Sequence, residues 1–234
     1  MNAKPPVRIG VIGNAAIHPS GNLLGSAGLA VLMRSFGAKV ALAALVPDDQ
    51  RGVAIMAKLR ASGVDMSRVE TSPQPRPRLK MGDLIDVAGL FDMDAVLVDV
   101  SDPRLHRFLV DLPVHTAPNA RLIGLLGRLA DVGATDAWET VLRHDAVIAS
   151  ALELATVVGA NLTAGFLDDI RRAMMGHNLR MVALLDRNCS ASIIEQSGRI
   201  SGEACAFDRF AAAVTVVFAA RRPWTDVFEM ANRP

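Results

Sequence analysis

Apolar runs of strand length alternate with helix-patterned segments along almost the whole chain, and this alternation constrains the fold more than any other feature. VRIGVIG, AKVALAALV, DAVLVDV and ARLIGLL are nearly continuous in apolar residues, as strands buried on both faces are. The first of these is expected to end at Gly13. AGLAVLMRSFG reads as a helix with Ser26 as its N-cap and Gly37 as its stop, and GVAIMAKLRASG as a second helix closed by Gly63. HDAVIAS reads as a strand running into a helix around ELATVVG, and RMVALL and SASIIEQ flank a short connection like the arms of a hairpin. FAAAVTVVFAA is apolar nearly all round, the pattern of a deeply buried helix. TSPQPRPRLK is the clearest loop, because its prolines remove backbone donors. The pattern predicts α/β architecture with a mainly parallel central sheet. No shift in composition divides the chain, so residues 1–234 are expected to form a single domain.

Composition narrows the function classes. A formal net charge of +1 gives no global pull toward nucleic acid or an anionic membrane, and 4% aromatic content with no Tyr argues against a base-stacking surface. The apolar run after Phe210 is too short to span a bilayer. Cys189 and Cys205 do not form a Cys-x-x-Cys pair and read as small buried thiols, with one disulfide conceivable. His18, His106, His115, His144 and His177 lack zinc-site spacing, so no metal site is expected. Sparse cysteines and the absence of an early apolar signal segment favour the cytoplasm.

The stretch SAGLAVLMRSFGAKVALAALVPDDQRGVAIMAKLRASGVD resembles the N-terminal signature of the PfkB, or ribokinase-like, carbohydrate and nucleoside kinases. Phe36-Gly37, Pro47-Asp48-Asp49 with Gly52, and Gly63-Val64-Asp65 stand at its landmarks in order. FDRFAAAVTVVFAARRPWTDVFEMAN resembles the catalytic helix of that family and the helix after it, with Cys205-Ala206-Phe207-Asp208 at the GAGD positions. Ser150 and Glu153 resemble the N-x-x-E segment, and Asp186 and Cys189 stand at the glycines of a G-x-x-G turn.

The resemblance implies a ribokinase-like α/β/α sandwich and ATP-dependent phosphoryl transfer to a sugar or nucleoside hydroxyl, with Mg²⁺. In this reading Asp208 is the base and Cys205, Ala206 and Phe207 form the anion hole. Asn14, Gly25, Ser26, Gly28 and Asp49 face the substrate, and Ser150, Glu153, Asp186 and Cys189 attend the nucleotide and its metal. Several of these positions depart from the family pattern. Phe207 would set a benzyl group beside the phosphate path, and Gly28 stands where the family has a substrate-binding Asn. Only about a dozen residues separate Gly13 from Gly25, and the Pro-rich loop follows Asp65, so most lid strands should be missing. Asp208 then reads evenly as a catalytic base or as an ordinary helix cap. Glu153 reads more readily as a solvated helix residue, Asp48 and Asp49 as turn formers, and Asp186-Arg187-Asn188 as a hairpin turn. The damaged cradle points to impaired or absent transfer, and the alternative class is a catalytically impaired pseudokinase that binds a small molecule or a regulatory partner. A homodimer is compatible with either reading, and the sequence does not choose an oligomeric state.

Overall fold

The apolar runs become strands because each buries side chains on both faces. The computed structural model describes residues 5–75, 77–83, 85–116, 120–126, 134–163 and 165–233. In β1 (Arg8–Ile17), Ile9 and Val11 point into one core and Ile12 into another. The same division holds along β3 (Lys39–Pro47), β5 (Ala95–Asp99), β6 (Arg121–Leu125), β7 (Ala146–Ser150) and β8 (Met181–Leu185). Period-2 side-chain geometry converts such a run into two buried faces, each of which needs a helical layer.

Those layers are present. On one face lie α1 (Ser26–Ser35), α2 (Gln50–Ser62), α7 (Phe207–Ala220) and α8 (Thr225–Ala231). On the other lie α3 (Pro103–Thr116) with a 3₁₀ turn at Ala88–Asp92, and then α4 (Ala134–Leu142), α5 (Ala151–Val158) and α6 (Phe166–Met174). Helix α7 is the most buried, with every residue from Phe210 to Ala219 in the interior. Full burial of Phe210 alone contributes about 1.5–3 kcal/mol.

The sheet runs β10-β9-β8-β7-β6-β5-β1-β3-β4, where β4 is Asp65–Ser72, β9 Ser190–Glu195 and β10 Gly198–Glu203. The strands from β4 through β8 pair in parallel, and β8, β9 and β10 pair antiparallel. This is the α/β/α sandwich with a mainly parallel sheet that the sequence predicts. Charged Asp65, Arg68 and Glu70 line the β4 edge and discourage pairing with another chain.

Two local expectations are corrected. Strand β1 does not end at Gly13. It continues to Ile17 because β2 (Leu23–Gly25) returns antiparallel, with Ala15 opposite Gly25 and Ile17 opposite Leu23. Among the described residues this three-residue strand is the one β element off the main path of the sheet. Nor does Ser26 cap α1: Gly25 holds the N-cap position and Ser26 is the first helical residue.

Candidate functional site

Parallel strands with right-handed crossovers bring their C-terminal ends, and the helix N-termini that follow them, to one edge. Here that edge gathers the end of β1, the starts of α1, α2 and α5, the β8–β9 turn and the start of α7.

At its centre, Ser26 Oγ donates to Asp99 Oδ2 at 2.8 Å, and both side chains are buried. Gly13 leaves the space for this pair, because a Cβ there would overlap Ser26 Oγ and the Asp99 carbonyl. Gly25 has φ +62 and ψ −145, a region open essentially to glycine, and a Cβ there would approach the Asn14 carbonyl at 2.8 Å. Asn14, expected to meet a substrate hydroxyl, is buried, and its Oδ1 accepts the Leu79 N–H at 3.0 Å. Its Nδ2 has no hydrogen-bond partner among the described residues. The segment after the Pro-rich stretch therefore folds back onto β1, with Leu79 packed beside Ile12, Leu90 and Phe91.

Three sequence-predicted residues have structural roles. Gly28 backs onto β2, where a Cβ would meet the Leu23 carbonyl at 2.8 Å. Asp49 is the N-cap of α2, accepting from the N–H groups of Arg51 and Gly52 and pairing with the Arg51 guanidinium. The Arg51 hydrogen bond holds its carboxyl below the usual range, though desolvation opposes this. Glu153 is a half-buried helix residue whose carboxylate is engaged. Ser150 Oγ accepts from Glu153 N at 3.1 Å while Glu153 Oε2 accepts from Ser150 N at 2.9 Å, a closed capping box at the start of α5.

The 186–189 segment is the expected hairpin turn. Asp186 N donates to Ser190 O at 2.8 Å, Cys189 N to Asp186 O at 3.2 Å, and Asp186 Oδ1 accepts from Arg187 N at 2.7 Å. Cys189 takes φ +60, the left-handed conformation that favours glycine. The expectation of buried thiols fails: Cys205 is exposed and Cys189 half-buried, and both are free.

At α7 the structure revises the reading of the anion hole. Ala206 is the N-cap, with extended φ −129 and ψ 122, and none of residues 205–207 has positive φ, so this turn does not require glycine. Phe207, the first helical residue, is half-buried and packs against the hydrophobic core. No side chain caps α7, which leaves its first-turn N–H groups without an intrahelical acceptor. Asp208 lies one residue inside the helix and makes no capping bond, so the cap reading is corrected. Desolvation raises its carboxyl above the ordinary aspartate value.

Sequence reasoning missed Asp99 and Leu79. A charged residue closing an otherwise apolar run, as in DAVLVDV, is the signal that marks Asp99. Leu79 has no local signal, because its role depends on where the loop folds.

No protein-family model matches the sequence, and no curated protein does. Solved structures match over nearly the whole chain. A PfkB protein from Polaromonas sp. JS666 shares 16% identity over 96% of this chain and 93% of its own, with a TM-score of 0.69. Ribokinase from Arabidopsis thaliana, complexed with ribose and ATP, shares 12% identity over 97% and 90%, with a TM-score of 0.77. Fructokinase from Xylella fastidiosa shares 13% over 97% and 86%, with a TM-score of 0.72. The protein has the ribokinase-like fold found in these structures.

Proposed function

We propose that the protein is a ribokinase-like phosphotransferase that moves the γ-phosphoryl group of ATP to a hydroxyl of a sugar or nucleoside, with Asp208 as the base. The observation that carries this reading is the N-terminus of α7, without a side-chain cap, and an Asp208 carboxylate in its first turn that has no hydrogen-bond partner among the described residues. Unpaired N–H groups and the positive end of a helix suit a phosphate. A raised carboxyl is a stronger proton acceptor for an attacking hydroxyl.

ATP, when bound, supplies the transferred group. Its phosphates fit the α7 N-terminus, where extended Ala206 and exposed Cys205 leave the backbone open. Mg²⁺ has less support: no group of three His, Cys, Asp or Glu side chains among the described residues could hold a metal. Asp208 accepts the hydroxyl proton, and the buried Ser26–Asp99 pair stiffens the floor where α1 begins.

A binding or regulatory homologue without turnover is the second reading. It is favoured by Glu153, whose carboxylate is engaged in the α5 cap, and by Asn14, whose acceptor is engaged by Leu79. The deciding experiment is incubation with Mg-ATP and a panel of sugars and nucleosides, followed by ADP release and product mass. Acceptor-dependent ADP with a phosphorylated product is expected. Mg-ATP binding without product across the panel selects the binding reading.

A further inference from the structure

The two cysteines lie at opposite ends of the β9–β10 hairpin in sequence, yet the antiparallel ladder closes them together. Glu203 is the partner of Ser190, and Ala204 N donates to Cys189 O at 2.9 Å, one step further along. Ala204 is fully buried and Cys205 exposed, so the chain turns its next side chain to the open side of the sheet edge. Cys189 itself takes a left-handed backbone, which breaks strand alternation there, and its side chain is half-buried. The neighbouring Cys205 thiol, followed by desolvation, raises the Cys189 thiol.

We propose that Cys189 and Cys205 are a redox modification site: oxidation joins them in a reversible disulfide that ties the β8–β9 turn to the start of α7. The oxidant is a small-molecule disulfide such as oxidised glutathione. The exposed Cys205 thiolate attacks one sulfur of the oxidant, forming a mixed disulfide and releasing one glutathione thiolate. The Cys189 thiolate then attacks Cys205 Sγ, forming the protein disulfide and releasing the second thiolate. The two protein thiols are oxidised by two electrons, the oxidant is reduced to two thiols, and the two protein protons pass to solvent or to the released thiolates.

Both partners of this bond flank the surface assigned above to phosphates, so the disulfide fixes the backbone that would hold a nucleotide. This regulatory consequence rests on the proposed function, whereas formation of the bond does not.

The test equilibrates the full-length protein in glutathione buffers of graded potential, blocks free thiols and maps the peptides. A linked Cys189–Cys205 peptide in monomeric protein is expected, with loss of both thiols in one two-electron transition. Cys189→Ser and Cys205→Ser should each retain one glutathione adduct and form no internal link. Persistent mixed disulfides at both cysteines of the unmodified protein, or linkage only between chains, would overturn the proposal. Calorimetry with Mg-ATP on both forms reads the consequence: affinity about fivefold or more weaker when oxidised is expected. Equal affinity in both forms removes the regulatory role. Absence of Mg-ATP binding in the reduced form contradicts the functional reading and leaves the peptide map to decide the disulfide.

Discussion

The Ser26 hydroxyl donates a 2.8 Å hydrogen bond to Asp99 Oδ2, and neither side chain reaches solvent to any useful extent. A buried carboxylate needs such donors, so Ser26→Ala should destabilise the protein by about 1–3 kcal/mol. Gly13→Ala should cost a similar or larger amount, because its Cβ overlaps both partners. Urea denaturation of both variants checks this. A Ser26→Ala midpoint equal to that of the unmodified protein would contradict it.

The capping box at α5 separates two roles for Glu153. Ser150→Ala should lower stability by about 0.5–2 kcal/mol, while Glu153→Gln preserves the reciprocal bond and should be nearly silent. If Glu153 instead organises a metal, Glu153→Gln will change the Mg²⁺ dependence of any turnover without moving the melting temperature. Thermal unfolding and an Mg²⁺ titration together distinguish the outcomes.

His106 and His144 form a buried pair, Nε2 to Nε2 at 3.1 Å, and His144 Nδ1 donates to Thr140 O at 3.0 Å. This assigns His106 Nε2–H as donor and His144 Nε2 as acceptor. Burial lowers His106 from 6.5 to about 3, with His144 adding to the effect, and lowers His144 to about 4. A depressed folded value means that the neutral forms are favoured on folding. Their contribution is fully present above pH 6.5 and is lost as pH falls toward the folded values. The melting temperature should therefore drop between pH 6.5 and pH 4. In His106→Leu/His144→Leu the slope over that interval should be shallower, and an unchanged slope would show that other groups set it.

Gly52 faces the Pro47 carbonyl so closely that no Cβ fits without moving the β3–α2 turn. Gly52→Ala should destabilise by about 1–3 kcal/mol, although alanine favours the helix intrinsically. A rise in melting temperature would show that the turn relaxes freely.

Much of the fold was legible because long apolar runs and helical spacing carry it. β3, β5, β6, β7, the β8–β9 hairpin and α7 lie where the pattern places them. The extension of β1, and β2, β4 and β10, were not legible: GRISGE and DMSRVETS are polar and gain strand form from the neighbour they pair with. The structural roles of the candidate residues were less legible. Asp208 looks like a cap in sequence, and only the extended backbone at Ala206 shows that the cap position falls two residues earlier. Phe207 looks like an obstruction, and only the structure shows that it also packs against the core. Cys189 and Cys205 look unrelated until the β9–β10 register brings them together.

Asp208→Asn tests the central claim most directly, measured as turnover of an acceptor substrate alongside melting temperature. Because Asp208 makes no capping bond, the substitution removes a base and little else, and stability should stay within about 0.5 kcal/mol. Turnover should fall by ~10²-fold or more. Phosphotransfer that survives Asp208→Asn undiminished would contradict the assignment of Asp208 as the base.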